Sequence, residues 1–186
     1  MGLDIHAYSH LAYVGHHEKW ADEDAHYDQH HEAYAYDSFP HALLGVPNVQ
    51  TKAGYGSSTF LSGGCFEVTE KTESHGFRAG SYSGYNAWRA DLAERFNPYG
   101  PGEGRDVYGP PSPEGPFYEL IWFADNEGTI CELAAMNLLA DFRQHEAEYR
   151  AAHEPGTYHG DYDIKRYADW MRACELAADG GLIDFH

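Results

Sequence analysis

One stretch in the middle of the chain, HGFRAGSYSGYNAWR at residues 75–89, combines arginine, aromatic and hydroxyl side chains with three glycines. Guanidinium groups bind planar oxyanions in bidentate fashion, and glycines let backbone N–H groups approach a ligand closely. Aromatic rings beside them can stack on a flat molecule. The stretch therefore predicts a pocket for a small, anionic, nucleotide-like ligand, lined by Arg78, Ser81, Tyr82, Ser83, Tyr85, Asn86, Trp88 and Arg89.

The same stretch also fits a structural role. Trp88 would then belong to the core, the tyrosines would cover sheet edges, and the arginines would pair with acids such as Asp91 or Glu94. Known motifs do not favour an enzyme: GxxxxGK[ST] does not occur, GYGSST at residues 54–59 is only a fragment of a dinucleotide fingerprint, and AGSYSGYN is not a nucleophile elbow. Binding without catalysis, and without a cofactor, is the prediction.

A second group of polar residues, two acids and one amide, could also carry chemistry. Asp125, Asn126 and Glu127 follow a predicted buried strand and precede a predicted helix, where side chains could bind a metal, a hydroxyl or an amine. They are equally suited to capping the helix. If they meet Asp4 and His6 of the first strand at one sheet edge, the four groups Asp4, His6, Asp125 and Glu127 would make a metal-dependent hydrolase, which is the alternative function.

Histidine and acid are concentrated in residues 15–41, which contain six of the 13 histidines, seven carboxylates and Lys19 as the one Lys or Arg. We expect an exposed acidic arm. The formal net charge of −18 argues against general binding to nucleic acid, because no cationic stripe is available for phosphates. A third function is therefore an acidic interaction module, or a mimic of DNA, that engages a basic protein surface.

The elements that must position these residues are mainly strands early in the chain and mainly helices late in it, with no repeating βαβ unit. We predict a half-buried strand over residues 3–14 and short antiparallel strands within residues 54–86. A helix capped by Ser83 or Asn86 follows at residues 87–96, and the Pro/Gly-rich residues 97–116 form a loop.

The nearly continuous apolar run at residues 117–124 predicts a central buried strand. A helix then carries Ile130 through Phe142 and ends near His145 or Tyr149. Another helix spans residues 162–178 with Asp161 or Asp163 as its cap, and a strand at residues 182–186 closes the chain. The order predicts one α+β domain over residues 1–186, mostly antiparallel, with about three helices.

Bulk properties agree with one soluble domain. Its 186 residues suffice for one core, and the three cysteines, at positions 65, 131 and 174, form no CxxC pair that would indicate a disulfide framework or zinc knuckle. No apolar run approaches 18 residues, so we expect no membrane anchor and a cytoplasmic location. An exposed edge at the first or last strand would allow a homodimer.

Four segments of the chain resemble a family of uncharacterised bacterial and phage-associated proteins. The matching residues are Met1–Ile5, Phe77–Arg89, Glu119–Ile130 and Phe185–His186. The chain departs from the family pattern at Asn126, where a cysteine is common, and in the histidine-rich residues 15–41. The resemblance brings no activity, cofactor or site residue. Its phage setting would make the ligand a host defence signal that the protein sequesters.

Overall fold

The computed structural model describes residues 2–16, 44–45, 64–100, 109–122 and 128–185, and the structural statements below concern these residues. The predicted α+β class is confirmed. The elements in chain order are β1 (Gly2–Tyr8), β2 (Ala12–His16), β3 (Leu44–Gly45), β4 (Gly64–Glu67), β5 (Ser74–Ser81), α1 (Tyr82–Phe96), α2 (Tyr118–Ile121), β6 (Gly128–Cys131), α3 (Glu132–Ala152), α4 (Tyr158–Ala177) and β7 (Leu182–Phe185).

The described residues form two antiparallel sheets. The larger one has the strand order β5-β1-β7-β6, and the smaller one has the order β2-β4-β3. The first and last strands, β1 and β7, are thus interior strands of the larger sheet. The expected exposed edge at the first or last strand is wrong, because among the described residues the edges of this sheet are β5 and β6; a homodimer stays a prediction.

Strand β1 follows the period-two pattern expected for a half-buried strand. Leu3, Ile5 and Ala7 are fully buried, while His6 on the other face is exposed. The predicted strand over residues 3–14 is interrupted after Tyr8, however, and His10 adopts a φ of 49° before β2 begins. The chain turns there, so one predicted strand is two.

The long helices cover the buried face of the larger sheet. Helix α4 packs against α3 and against strands β1, β5 and β7, and α1 packs against β5 and β1. At the centre of this layer the Trp170 ring lies 5.8 Å from the Tyr85 ring and 6.0 Å from the Trp88 ring, measured between centroids. One hydrophobic core joins the three helices to the sheet.

The prediction of a central strand at residues 117–124 is wrong. Residues 118–121 form the short helix α2, and Phe117 before it has a left-handed φ of 57°. The Phe117 N–H donates to the Asp141 carboxylate of α3 at 2.8 Å, which fixes this turn. A short apolar run fits a buried helix as well as a buried strand, and Leu120 and Ile121 are buried from α2.

Two helix starts differ from the predicted ones. Helix α1 begins at Tyr82 rather than Ala87, and its cap is Ser81, not Ser83 or Asn86. Helix α4 begins at Tyr158 with Thr157 as its cap, not Asp161 or Asp163.

Helix α3 is preceded by a strand that the sequence pattern did not predict. Ile130 lies in β6, and α3 starts at Glu132 and runs past Tyr149 to Ala152. The predicted helix over residues 162–178 ends one residue beyond Ala177, the last residue of α4, and the predicted closing strand is confirmed as β7. Among the described residues, no helix is long and apolar enough to cross a membrane.

The Pro/Gly-rich segment is described at residues 97–100 and 109–116, which form neither helix nor strand. The buried Asn97 holds its two parts together: its Nδ2 donates to the carbonyls of Ser112 (2.9 Å) and Pro116 (3.1 Å). Its Oδ1 accepts from the Ser112 N–H at 2.9 Å. The end of α1 is therefore tied to the segment that leads into α2.

A glycine after α4 allows the last strand to lie against the first. A Cβ placed on Gly181 would lie 1.7 Å from the Tyr8 carbonyl oxygen and 2.9 Å from the Ser9 Cα, both backbone atoms. Gly181→Ala should therefore lower the free energy of unfolding by about 3 kcal/mol in chemical denaturation. Gly156→Ala is the control: nothing lies within 4 Å of its Cβ, so it should lose only the roughly 1–2 kcal/mol of its left-handed backbone. Equal losses would contradict the packing argument.

Burial of Glu119 in α2 predicts a pH dependence of stability. Burial raises the pKa of Glu119 above its ordinary value, although a 3.0 Å hydrogen bond from Asn137 to its carboxylate opposes the rise. A raised carboxyl pKa means that the folded state binds more protons than the unfolded state above pH 4.5, so stability falls as the pH rises through this window. Chemical denaturation at a series of pH values measures the effect. As the pH rises above 4.5, the unfolding free energy of the wild type should fall relative to that of Glu119→Gln. If the unfolding free energies of the wild type and Glu119→Gln change with pH in parallel, the raised pKa of Glu119 is contradicted.

Candidate functional site

The aromatic residues of the predicted pocket lie in or against the core. Tyr85 is fully buried and Trp88 is 3% exposed, while Tyr82 packs partly buried against the same cluster. The Trp88 Nε1 donates to the Tyr149 hydroxyl at 3.0 Å. Burial raises the pKa of Tyr149, which keeps this hydroxyl protonated. Tyr85 and Trp88 pack against each other and against Trp170 and are almost entirely buried, so they do not offer a stacking face to a ligand.

The two predicted arginines point to different surroundings. Arg78 lies on β5 opposite Asp4 of β1, is 63% exposed, and places its Nη1 4.0 Å from the Asp4 carboxylate. Arg89 lies on α1, where its Nη2 donates to Asn86 and its guanidinium sits 4.8 Å from the centroid of the Tyr85 ring. These cations do not form a joint oxyanion clamp.

The predicted serines have local roles at the start of α1. The Ser81 Oγ accepts from the Gly84 N–H at 3.1 Å and lies 3.1 Å from the Ser83 Oγ. Such side-chain caps satisfy the first N–H groups of a helix. Here the cap also lets β5 continue into α1 without a connecting loop, because Ser81 is both the last residue of the strand and the cap of the helix.

A cleft of about 520 Å³ nevertheless opens beside this stretch, between the start of α1, the end of α3 and the first half of α4. We call it the α1–α4 cleft. Its α1 side is formed by Gly80, Ser81, Gly84, Ala87, Trp88 and Asp91, and its opposite side by His153, His159, Tyr162, Asp163 and Arg166. Two of the predicted pocket residues, Ser81 and Trp88, line this cavity together with the neighbouring Gly80 and Gly84, and α4 supplies most of the facing groups.

Arg166 is the buried cation of the α1–α4 cleft. Its side chain is 6% exposed, and its Nη1 donates to the Gly84 carbonyl at 3.2 Å and lies 3.9 Å from the Asp163 carboxylate. The guanidinium carbon is 4.4 Å from the centroid of the Tyr162 ring and 5.8 Å from that of Trp88. Within the described part of the chain, its Nε is buried without a hydrogen-bond partner.

Gly80 allows Tyr162 and Arg166 to come this close to β5. It has a φ of 121°, a conformation that residues with a side chain rarely adopt. A Cβ placed there would lie 3.2 Å from the Tyr162 hydroxyl and 3.4 Å from the Arg166 Nη2. The glycine thus leaves room for the groups that form the opposite wall.

An acid and an imidazole meet across the two sides of the cleft. The Nε2 of His153 lies 3.5 Å from the Asp91 carboxylate, and its Nδ1 is 2.8 Å from the Tyr149 carbonyl oxygen. The other Asp91 oxygen accepts from the Arg95 Nε at 2.8 Å. The cleft therefore combines a buried guanidinium with the carboxylates of Asp91 and Asp163. This arrangement suits a ligand that carries an anionic group together with hydroxyl or amino donors.

A second cleft, of about 620 Å³, lies where β1 leads into β2. Its lining includes His10, whose Nε2 is 3.5 Å from the Asp179 carboxylate, and the exposed Glu70 and Lys71. The charged groups here are accessible to water, so none of them requires a ligand. The α1–α4 cleft is the stronger candidate for that reason.

The metal alternative is not completed by the described residues. Asp4 and His6 share the exposed face of β1, and Asp4 faces Arg78. Asp125, Asn126 and Glu127 lie outside the described residues, as do residues 17–41 of the acidic arm. In the described ranges, no group of three or more His, Cys, Asp or Glu residues could hold a metal ion. A metal-dependent hydrolase therefore stays a prediction.

Sequence reasoning did not select Arg166 and Tyr162. The available signal was their spacing: Tyr162, Arg166 and Trp170 follow one another at four-residue intervals, so they share one face of α4. Trp170 indicates that this face is buried, and an arginine on a buried face must be paired with protein groups or lie beside a ligand. The packing of α4 against α1, which completes the cleft, could not be read from the chain.

Comparisons with known proteins give no site residues for this chain. No family model, curated protein or solved structure matches the chain. The resemblance of its motifs to bacterial and phage-associated proteins stays a prediction, and the α1–α4 cleft with its buried guanidinium is the candidate site.

Proposed function

We propose that the protein binds a small anionic, nucleotide-like ligand in the α1–α4 cleft without catalysing a reaction on it. The observation that carries the proposal is Arg166, a guanidinium that is 6% exposed and whose buried Nε has no partner among the described residues. A buried charge is stable only when it is paired and hydrogen-bonded. Gly84 and Asp163 meet part of that need, and a bound oxyanion would meet the rest.

The surroundings of Arg166 favour an anion further. The N-terminus of α1 lies in the same cleft, and the N–H groups of a first helical turn carry a partial positive charge. Leaving a buried donor unsatisfied costs about 1–3 kcal/mol. The Nε itself is covered by protein, so an oxyanion in the cleft would act as a charge partner for the guanidinium as a whole, and this pairing would stabilise the occupied site.

The two carboxylates limit which anion fits. Asp91 and Asp163 repel a polyphosphate, but they accept hydrogen bonds from hydroxyl or amino groups. A nucleoside monophosphate or a cyclic mononucleotide offers one charged phosphate together with such donors. The cavity of about 520 Å³ is also within the range of small-molecule sites, roughly 300–1,000 Å³.

The contacts around the cleft do not identify the cellular role of the protein. Sequestration of a host defence signal is the role that the phage resemblance implies, and it stays a prediction. Engagement of a basic protein surface by residues 15–41 also stays a prediction, since nearly all of that arm lies outside the described residues. Only the binding of a small anion is supported by contacts around the α1–α4 cleft.

Thermal unfolding with a panel of linear and cyclic mononucleotides tests the proposal. A ligand present at 100 times its Kd should raise the Tm by roughly 5–10 °C for a chain of this size. Arg166→Met keeps the apolar stem and removes the charge, so it should abolish the rise. If no nucleotide in the panel raises the Tm of the wild type, the proposal is overturned.

Two variants serve as matched controls for the position of the site. Arg78→Ala removes an exposed guanidinium that faces Asp4, and Arg89→Ala removes one that rests on Tyr85. Both variants should retain the ligand-induced rise. Loss of the rise in Arg78→Ala or Arg89→Ala, with Arg166→Met unaffected, would instead place the ligand where the sequence pattern alone first predicted it.

A further inference from the structure

Tyr162 at the rim of the α1–α4 cleft is the aromatic group that a flat ligand could reach. Its side chain is 39% exposed, whereas Tyr85 and Trp88 are buried. The Arg166 guanidinium lies over the Tyr162 ring, 4.4 Å from its centroid. We infer that Tyr162 is the stacking platform for an aromatic base of the ligand, so that the ligand class is a nucleobase joined to a phosphate. This inference rests on the proposed function.

The contact with Arg166 gives the ring a fixed orientation. A guanidinium packed over an aromatic face is held by cation–π attraction, and Arg166 is itself fixed by its bond to the Gly84 carbonyl. Because the guanidinium covers one face of the Tyr162 ring, the exposed area lies on the remaining face and edges. A base that stacks there would extend an existing guanidinium–ring stack and would not need to reorganise the protein.

One arginine thus connects the two halves of the ligand. Arg166 lies in the cleft that is proposed to hold the phosphate, and it also supports the ring that is proposed to hold the base. The phosphate and the base would therefore bind on neighbouring side chains of one helical turn, Tyr162 and Arg166 being four residues apart. Stacking on an aromatic ring tolerates different bases, so the ring selects for a flat base more than for its identity.

The test compares adenosine 5′-monophosphate with ribose 5-phosphate, which lacks the base, by titration calorimetry. Tyr162→Leu should weaken binding of the nucleotide by roughly 5- to 100-fold, the range that loss of base stacking gives. The same variant should change binding of ribose 5-phosphate by no more than about two-fold. Tyr162→Phe keeps the ring and should bind both ligands nearly as the wild type does.

The outcomes separate this inference from the proposed function. If both ligands bind the wild type equally, or if Tyr162→Leu weakens both to the same extent, the base does not stack on Tyr162 and the inference fails while anion binding stands. If Tyr162→Phe loses as much affinity as Tyr162→Leu, the hydroxyl and not the ring is responsible, which also overturns it. If neither ligand binds the wild type, the proposed function and the inference fail together.

Discussion

The described structure depends on a stack of three aromatic rings between two helices. Tyr85 and Trp88 of α1 lie nearly parallel to Trp170 of α4, with interplanar angles of 20° and 11°. Offset stacking of this kind adds about 0.5–1.5 kcal/mol per pair beyond the area that the rings bury. Since Phe77 of β5 meets Trp170 edge-on, the same ring also fixes both helices to the sheet. The space between the ends of α1 and α4 exists because this contact holds them at a set separation.

Burial of Arg166 follows from that arrangement. One helical turn before Trp170, the α4 face that enters the core must pass the first turn of α1, and there the side chain is an arginine. It is satisfied in part by a backbone carbonyl and by two rings, which is how a guanidinium tolerates a place with little water. The core and the candidate site are therefore adjoining layers of the same helix contact.

The sequence predicted those features that local chemistry decides. The predicted first strand, the helix over residues 162–178 and the closing strand correspond to β1, α4 and β7, although the first strand was predicted too long and the helix begins four residues earlier. It did not predict α2, because the short, nearly continuous apolar run at residues 117–124 matches a strand and a helix equally well. The hydrogen bond from the Phe117 N–H to the Asp141 carboxylate, 24 residues later in the chain, fixes the turn that starts the helix. The cap of α1 was misplaced for a related reason: Ser81 and Ser83 are chemically equivalent, and only the direct junction with β5 distinguishes them.

The candidate site shows the same division. Gly80, Ser81, Gly84 and Trp88 of the central stretch line the cleft, but Tyr85 and Trp88 are buried and the two arginines lie in separate surroundings. What the chain could not reveal is which residue far along the sequence would face them.

Gly80 has a consequence for comparing this chain with others of similar fold. Its missing side chain is what keeps the Tyr162 hydroxyl and the Arg166 guanidinium in contact range of the strand. A homologue with a bulkier residue at this point could preserve every helix and strand yet have its cavity filled. Glycine here together with arginine at position 166 is thus a two-residue signature by which chains that keep the pocket can be sorted from those that keep only the scaffold.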